Sequence, residues 1–499
     1  MSVKKNVIAG WSAHLVTVLI GFFLLPYILE VLGDARYGAW LLVNAVAAYS
    51  GVIYAGFGAT ICRYVADSST RKEWDRLNQI VSSVQGVYFG TASIVLLATL
   101  GFVLLAPWLN KWGETPIHEV QFSIFIVGAT IALGMVASVY GGVLIGTQQL
   151  HIKRGIEVTC GVMRGVLTVI MLTRSWGLVQ LSLVFFAVTV LEHGLSAWFA
   201  YRHVPTLSVH PWNIQRSVLN ECFSFSAFNA VALAAEYLIY FTDTIVIGVV
   251  MGPEAIVPYQ IGLRIAQMIQ LPIAQIGEAI LPKAGELHAN SNRVELGQLV
   301  AKAMGVAFLL SGGFFIGGAY FGEVLIHTWI GHSLTHSHTV MSLLLAAQLV
   351  SLPMLIIRKA LLGSGEVRVP AFIDLLEAAL NLILSLILIQ YWGVVGVAVG
   401  TLIPLVVVEL SILLPYASKR LMLTRSVLWS HVVGPALPSL LALLAYCEVV
   451  RPYVTASGWL PLLCVTAGGG AVLIGVRGAV HFLGRSIDSN LTAVTASKQ

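Results

Sequence analysis

The sequence predicts an all-α polytopic membrane protein with about 14 transmembrane helices, and two observations lead to this prediction. Hydrophobic residues make up 58% of the 499 residues and charged residues only 10%, whereas soluble proteins carry about 25% charged residues. The apolar residues also form segments of about 20 residues, the length that a helix needs to cross a bilayer. A soluble globular protein is therefore excluded, and the net charge of +5 is too small to indicate a nucleic-acid partner.

The apolar segments follow one another along the whole chain, separated by short polar stretches. They cover residues 7–31, 38–62, 79–105, 121–146, 156–174, 179–201, 223–250, 255–281, 299–322, 339–363, 370–391, 393–416, 427–449 and 459–482. If the N-terminus lies inside, the inner segments hold 22 of the 28 Lys and Arg residues, and the outer loops hold only Arg36, Lys111, Arg174 and Arg451. This asymmetry follows the positive-inside rule, so both termini are predicted to be cytoplasmic.

Several residues recur at a nearly constant spacing, which indicates an internal repeat. The matched pairs are Trp176/Trp392, Glu192/Glu409, Gly146/Gly363, Gly33/Gly252 and Arg63/Lys283, at offsets of 216 to 220 positions. Spans 1–6 therefore recur as spans 7–12, and because six is even, both copies have the same orientation in the membrane. Parallel repeats of this kind build transporters that rock two lobes around a site at the midplane.

The repeat predicts the domain organisation. The predicted parts are an N-lobe (1–202), a cytoplasmic linker (203–222), a C-lobe (223–420), an appendage of two helices (421–484) and a cytoplasmic tail (485–499). In the linker, Trp212, Ile214 and Val218 accompany Arg216, a pattern that predicts an amphipathic helix at the membrane surface.

Five passages of the chain carry a resemblance to a known family. They are LPYILEVLGDARYGAW (25–40), GFGATICRYVA (56–66), GVLIGTQQ (142–149), residues 241–267 around FTDTIVIGVVMG, and WGVVGVAVGTLIP (392–404). Together they resemble the polysaccharide or oligosaccharide flippases of the multidrug/oligosaccharidyl-lipid/polysaccharide exporter superfamily. The resemblance implies two six-helix lobes that move undecaprenyl-diphosphate-linked sugars from the cytoplasmic to the outer leaflet of the bacterial inner membrane.

We therefore predict a flippase for O-antigen, capsule or exopolysaccharide synthesis, and not an enzyme. The alternatives are a cation-coupled multidrug exporter of the same superfamily, a lipid-II flippase and, in another class, a membrane polysaccharide polymerase or ligase. A polymerase or ligase usually needs a large outer loop, which the chain lacks. The implied partners are the lipid-linked oligosaccharide, membrane lipids, a coupling H⁺ or Na⁺, and the polymerase and glycosyltransferases of the same pathway.

The segment Phe223–Val250 carries two carboxylates, Glu236 and Asp243, inside an apolar span. An ionisable group at membrane depth costs at least ~2.5 kcal/mol to insert, so both residues are candidates for ion coupling. Arg264 in the next span lies at a depth similar to that of Asp243. Arg264 is predicted either to pair with Asp243 or to bind the substrate diphosphate, because a guanidinium donates two parallel hydrogen bonds.

Four other spans contain candidate titratable residues. Arg164 is predicted either to pair with Glu192 or to line the central cavity, and His14 either to pack between helices or to line the same cavity. Glu192 and its repeat partner Glu409 are candidates for ion coupling, or for contacts that only hold helices together. A buried charge needs a partner in either case.

Asp374 and Glu377 lie near the inner end of the eleventh span. They are expected to reach interfacial water or one of the basic residues Arg358 and Lys359.

No cofactor and no metal site is predicted. The chain has no Gly-Lys dipeptide and hence no GxxxxGK phosphate loop, and none of its five cysteines forms a CxxC pair. His332, His336 and His338 cluster in an outer loop, but no carboxylate or cysteine accompanies them, so zinc binding is not favoured.

Overall fold

The computed structural model describes residues 3–109, 112–172, 177–216, 219, 237–238, 241–454 and 458–496, and of 3–17, 51–60 and 480–496 it describes the backbone. Within these residues every regular element is a helix. Helices are expected because, in lipid, only a helix bonds each N–H and C=O within one segment. The α-helices are α1 (Val3–Ala48), α2 (Ser50–Arg71), α3 (Trp74–Leu105), α4 (Ile117–Gly146), α5 (Leu150–Met171), α6 (Gly177–His203), α7 (Phe241–Val250), α8 (Ile256–Gln267), α9 (Gln270–Ala289), α10 (Arg293–Ile330), α11 (Ser337–Gly363), α12 (Arg368–Val408), α13 (Leu414–Leu421), α14 (Arg425–Leu428), α15 (Gly434–Val450) and α16 (Trp459–Ala496).

Short segments of other helix types connect or interrupt these elements. Three 3₁₀ turns cover Ala106–Leu109, Pro253–Ala255 and Arg451–Tyr453, and two π-helical segments cover Glu409–Leu413 and Trp429–Val433. The first π segment joins α12 to α13, so the helix continues from Arg368 to Leu421.

Two of the helices are too long to be single membrane spans. α1 has 46 residues and would measure about 70 Å, more than twice the ~30 Å hydrocarbon core; Gly33 (φ 74°, ψ 170°) divides it. The 54 residues from Arg368 to Leu421 are divided by Gly393 (φ 56°, ψ −135°). In the part of the chain that the structure describes, nine helices are long and apolar enough to cross a membrane. The all-α multi-pass fold is confirmed, and the count of 14 spans stays a prediction.

The chain packs as two compact units, Met1–Val257 and Pro258–Gln499. The described part of α7 packs within the first unit, where a Cβ on Gly248 would lie 2.8 Å from Leu42 of α1. The predicted lobe boundaries stay predictions. The core of the first unit includes Ile61, Val81, Val143 and Cys160, and that of the second includes Ile273, Met304, Ile357 and Leu413.

The two units repeat the same helix packing. α4 ends at Gly146 and α11 ends at Gly363, and each glycine lies against an earlier helix of its own unit, where a Cβ would collide. Gly146 contacts Val65 and the Cys62 carbonyl, and Gly363 contacts Ala284 and the Leu281 carbonyl. The contacted residues are 219 positions apart in both cases, which agrees with the repeat that the sequence predicts.

The turns at Gly33 and Gly252 of the two copies also match. Gly33 has φ 74° and Gly252 has φ 103°, a region of backbone space that glycine adopts readily because it lacks a Cβ. These glycines allow the chain to reverse at equivalent places. The turn after Gly252 lies against Gly38, so closely that a Cβ on Gly38 would collide with the Pro253 carbonyl.

The segment after α6 is not the amphipathic helix that the sequence predicted. Described residues 204–215 form turns and irregular chain, which lies along the N-terminal part of α3. Polar side chains of α3 bond its backbone: Asn78 to Thr206 and Ser208, Ser82 to His210, and Ser83 to Gln215. Because α3 satisfies these backbone groups, the segment needs no helical hydrogen bonds of its own; Val218 lies outside the described residues.

Candidate functional site

A cluster of charged side chains lies in the second unit, around Arg358 near the end of α11. Its Nη1 lies 2.6 Å from Glu409 Oε1, and its Nη2 lies 2.7 Å from Asp374 Oδ1 and 3.5 Å from Glu377 Oε2. Asp374 and Glu377 are three residues apart and so share one face of α12. One guanidinium thus joins α11 to both halves of the divided helix α12.

Two carboxylates of this cluster are deeply buried. The side chain of Glu409 is 1% exposed and that of Glu377 is 8% exposed. One oxygen of each, Oε2, is buried without a hydrogen-bond donor among the described residues, because the 3.5 Å contact of Glu377 with Arg358 is longer than a hydrogen bond. If all three carboxylates were ionised, they would exceed the guanidinium by two negative charges, and burying an unbalanced charge is costly.

The backbone at Glu409 is unusual as well. Glu409 opens the π-helical segment Glu409–Leu413, one extra residue wound into an otherwise α-helical span. Such π-bulges occur mainly at functional sites. Here the bulge begins at the carboxylate that lies nearest to Arg358.

The first unit contains a corresponding cluster between α5 and α6. Lys153 Nζ lies 2.9 Å from Glu192 Oε1 and 3.5 Å from Glu157 Oε1, and Arg154 lies 2.7 Å from Glu157. Arg164 lies 3.8 Å from Glu192 Oε2, and its guanidinium stands 4.9 Å from the centre of the Phe185 ring. The predicted contact of Arg164 with Glu192 is therefore present, although Lys153 is the closer partner.

The two clusters are related by the repeat. Glu157 corresponds to Asp374 and Glu192 to Glu409, each at an offset of 217 positions. The position that corresponds to Arg358 is Gly141, where a Cβ would lie 3.2 Å from Lys153 Cε. The absence of a side chain at Gly141 therefore leaves room for Lys153, which reaches the same place from another helix.

The remaining positions of the clusters differ. The counterpart of Glu377 is the buried Cys160, and the counterpart of Arg164 is the buried Asn381. At these two positions the second unit has a carboxylate, Glu377, and no cation, whereas the first unit has a cation, Arg164, and no carboxylate.

Two other predicted site residues that the structure describes, Asp243 and Arg264, fall in different units. Asp243 on α7 is 2% exposed and belongs to the first unit, whereas Arg264 on α8 is half-buried and belongs to the second. Among the described residues of its own unit, no side chain bonds the Arg264 guanidinium. The Asp243–Arg264 pair stays a prediction, and Glu236 and the side chain of His14 lie outside the described residues.

Sequence reasoning did not identify Lys153, Glu157 or Gly141 as members of a cluster. The expected contact of Asp374 and Glu377 with Arg358 is present, while Lys359 pairs with Glu278 instead. Applying the 217-residue offset to every charged residue would have linked Glu157 to Asp374. It would not have found Lys153, because the cation comes from different helices in the two units.

The fold and the clusters define the class: a multi-pass helical membrane protein with two repeated units, the architecture of membrane transporters. The lipid II flippase MurJ in an inward closed conformation has this fold, with a TM-score of 0.70 at 12% identity over 96% of this chain and 99% of that chain. The family model described as "Polysaccharide biosynthesis protein" matches residues 3–288, and the chain belongs to this family. A second model, MatE, matches residues 229–387.

Two relatives match most of the chain. "Uncharacterized membrane protein EpsK" of Bacillus subtilis (strain 168) is 20% identical over 470 residues, which are 93% of this chain and 92% of the relative. "Putative O-antigen transporter" of Shigella flexneri is 19% identical over 411 residues, which are 80% of this chain and 94% of the relative.

Proposed function

We propose that this protein is a flippase that moves an undecaprenyl-diphosphate-linked oligosaccharide from the cytoplasmic to the outer leaflet of the bacterial inner membrane. The observation that carries the proposal is the polysaccharide-biosynthesis family match over residues 3–288. The relative of Shigella flexneri, which matches over 80% of this chain, is named for O-antigen transport. The product would serve O-antigen, capsule or exopolysaccharide synthesis, together with the polymerase and glycosyltransferases of that pathway.

The orientation is part of the proposal. Both termini lie in the cytoplasm, which the distribution of Lys and Arg between inner and outer segments supports. The two lobes rock between inward-open and outward-open states, and the polyprenyl chain stays in lipid while the sugar and diphosphate pass between the lobes.

The experiment is deletion of the gene in the native bacterium. Undecaprenyl-diphosphate oligosaccharide should accumulate in the cytoplasmic leaflet, where a membrane-impermeant sugar oxidant does not reach it in intact cells. The wild-type gene should restore its appearance in the outer leaflet. An unchanged amount and sidedness of this lipid in the deletion strain would contradict the proposal.

Arg264 is the proposed contact for the substrate diphosphate, because a guanidinium on a half-buried helix face suits a phosphate oxygen pair. Both Arg264→Ala and Arg264→Lys should abolish export, since an ammonium cannot form two parallel hydrogen bonds. Arg293→Ala, at the exposed start of α10, is the control. Normal export by both Arg264 variants at normal protein levels would exclude this role, and Arg164 and His14 would then be the next candidates.

Proton coupling at the Arg358 cluster is a further part of the proposal. The cluster contains one cation, Arg358, and the carboxylates Asp374, Glu377 and Glu409. A single proton would reduce the excess negative charge and give a donor to one of the two unbonded carboxylate oxygens. Arg358 already stands between the carboxylates where a metal cation would bind, so we propose H⁺ and not Na⁺. Glu236, Asp243 and Glu192 are the other coupling candidates.

Coupling is tested with purified protein in vesicles loaded with lipid-linked oligosaccharide from the deletion strain. A pH gradient should accelerate translocation, and a sodium gradient should not. Glu377→Gln and Glu409→Gln should remove the acceleration, whereas Glu278→Gln, which alters a half-exposed carboxylate paired with Lys359, should keep it. If a pH gradient still accelerates translocation by both cluster variants, the coupling site does not lie in this cluster.

A cation-coupled multidrug exporter is the second candidate, because the MatE model matches residues 229–387. The deletion strain distinguishes the two. A drug exporter predicts greater sensitivity to cationic drugs with normal surface glycan, and the flippase predicts the opposite result.

A further inference from the structure

Each unit contains a membrane helix that is interrupted near its middle. In the first unit, the helix that runs from Asp34 in α1 to the end of α2 is interrupted at Tyr49. In the second unit, α8 and α9 are separated by Met268 and Ile269. At both places the amide donates to the carbonyl three residues earlier, with N–O distances of 3.3 Å for Tyr49 to Val46 and 3.2 Å for Met268 to Ile265.

The two interruptions occupy the same position of the repeat. Tyr49 and Met268 are 219 positions apart, and so are their acceptors Val46 and Ile265. The contacts of Gly146 and Gly363 with the same pair of helices have this offset as well. A single 3₁₀ turn inside a longer helix often marks a hinge, and here it recurs at equivalent places.

The two interruptions have different causes in the sequence. In the second unit, Pro272 lies four residues after Met268, so it has no N–H for the Met268 carbonyl, and its ring crowds that carbonyl. The corresponding residue in the first unit is Ile53, which has an N–H. There the interruption is followed by Ser50 and Gly51, and Gly/Ser pairs are another common cause of kinks.

We propose that these paired interruptions are hinges, at which the two helices bend when the protein changes between its inward-open and outward-open states. This inference rests on the proposed transport function. Two different local sequences produce one backbone feature at one position of the repeat, which indicates that the feature itself is required.

The contacts beside the second hinge divide its helix into two anchored pieces. Gly262 of α8 packs on the backbone of Met341 at the start of α11, and Gly277 of α9 packs on Lys359 near its end. Because a Cβ on either glycine would come within 3.0 Å of α11, each piece is held closely, and the bend is confined to the residues between them. Arg264 lies one turn before the hinge, so bending changes its direction relative to α9.

An additional side-chain hydrogen bond holds the first hinge. The hydroxyl of Tyr49 lies 2.5 Å from Thr242 Oγ1 on α7. The corresponding residue, Met268, has no hydroxyl, and its thioether sulfur is only a weak acceptor. The second hinge is therefore expected to bend more freely than the first.

Hydrogen–deuterium exchange of the purified full-length protein tests the hinges directly. Amides of 266–271 should exchange faster than the helical turns on either side. Pro272→Ala restores an N–H and should slow this exchange about tenfold, the equivalent of one hydrogen bond, and should lower glycan export severalfold at an unchanged protein level. Pro282→Ala, an exposed proline in the same helix α9, is the matched control and should change neither quantity.

Two results would overturn the proposal: exchange at 266–271 no faster than in neighbouring turns, or a Pro272→Ala protein with slowed exchange and normal export. If Pro272→Ala does not fold, Gly51→Ala and Tyr49→Phe test the first hinge by the same two measurements. Gly51→Ala should slow exchange there, and Tyr49→Phe should accelerate it. Failure of the wild-type protein to export glycan would contradict the proposed function alone, because the exchange measurement requires no substrate.

Discussion

The two charged clusters occupy corresponding places in the two units, yet their charge balance is opposite. Among the described residues, the first cluster has three cations around two carboxylates, and the second has one cation facing three carboxylates. The carboxylates Glu192 and Glu409 recur at the repeat spacing, whereas the cation that bonds them comes from α5 in one unit and α11 in the other. The two units therefore share the position at which charged side chains join helices, but they differ in the number of cations and carboxylates there.

This difference in charge balance suggests that the two clusters have different roles. A cluster in which cations outnumber carboxylates has its negative charges fully balanced, and it suits a fixed connection between helices. A cluster with excess carboxylates is stabilised by another positive charge, such as a proton. A carboxylate that binds and releases a proton is the group that a proton-coupled transporter requires. Single substitutions in both clusters test this difference in charge balance.

The largest effect is expected for Arg358→Ala. Arg358 is the only cation that pairs with this cluster among the described residues. Removing it leaves three carboxylates together, two of them buried, and breaking a buried ion pair costs about 3–5 kcal/mol. We expect a strong decrease in the thermal unfolding temperature in detergent and little protein in the membrane. Lys359→Ala, at the next position, is the control because its partner Glu278 is half-exposed. Equal unfolding temperatures for the two variants would show that the cluster does not need its guanidinium.

A smaller effect is expected for Lys153→Ala in the first unit. Arg164 remains 3.8 Å from Glu192, and Arg154 remains 2.7 Å from Glu157, so both carboxylates keep a cation. We expect a loss of about 1–2 kcal/mol, measured by the same unfolding assay. A loss as large as that of Arg358→Ala would mean that the two clusters depend equally on one cation.

Neutralising one carboxylate in each unit should lower the unfolding temperature in the first unit but not in the second. Glu192→Gln leaves Lys153 and Arg164 without their shared partner and should lower the unfolding temperature, by about 1–2 kcal/mol of stability. Glu377→Gln removes an excess negative charge and should leave the unfolding temperature unchanged or raise it. Both changes keep the size of the side chain, so packing is matched. A decrease of similar size in both variants would refute the opposite charge balance.

The smallest effect is expected for Gly141→Ala. The new methyl group would lie 3.2 Å from Lys153 Cε, and a flexible lysine can move by a few tenths of an ångström at a cost below about 1 kcal/mol. Gly142→Ala is the comparison, because its Cβ would lie 2.6 Å from the buried Ile61. The order of the two unfolding temperatures tests whether Lys153 fills the place that Arg358 holds in the other unit.

Several parts of the fold and the clusters were predictable from local sequence. The pairs Gly33/Gly252 and Gly146/Gly363 were predictable because a positive φ or a close helix contact favours glycine. Glu192 and Glu409 were found because they lie 16 and 17 residues after a Trp-Gly pair. The amphipathic helix predicted for the linker is absent from described residues 204–215, because their backbone is bonded by Asn78, Ser82 and Ser83 of a distant helix, and no local pattern reports that.

The sequence by itself determined the class of protein, the repeat and the glycine turns, because burial in lipid, helix length and backbone freedom act over a few residues. Only the tertiary structure decided which charges share a partner. Lys153 and Glu192 are 39 positions apart, and Arg358 and Glu409 are 51 apart. Whether such residues meet depends on how their helices are rotated and packed, and glycine contacts set that packing. The paired helix interruptions also became visible only in the tertiary structure. A Pro in one unit and a Ser-Gly pair in the other can be compared only because both helices are interrupted at the same position of the repeat.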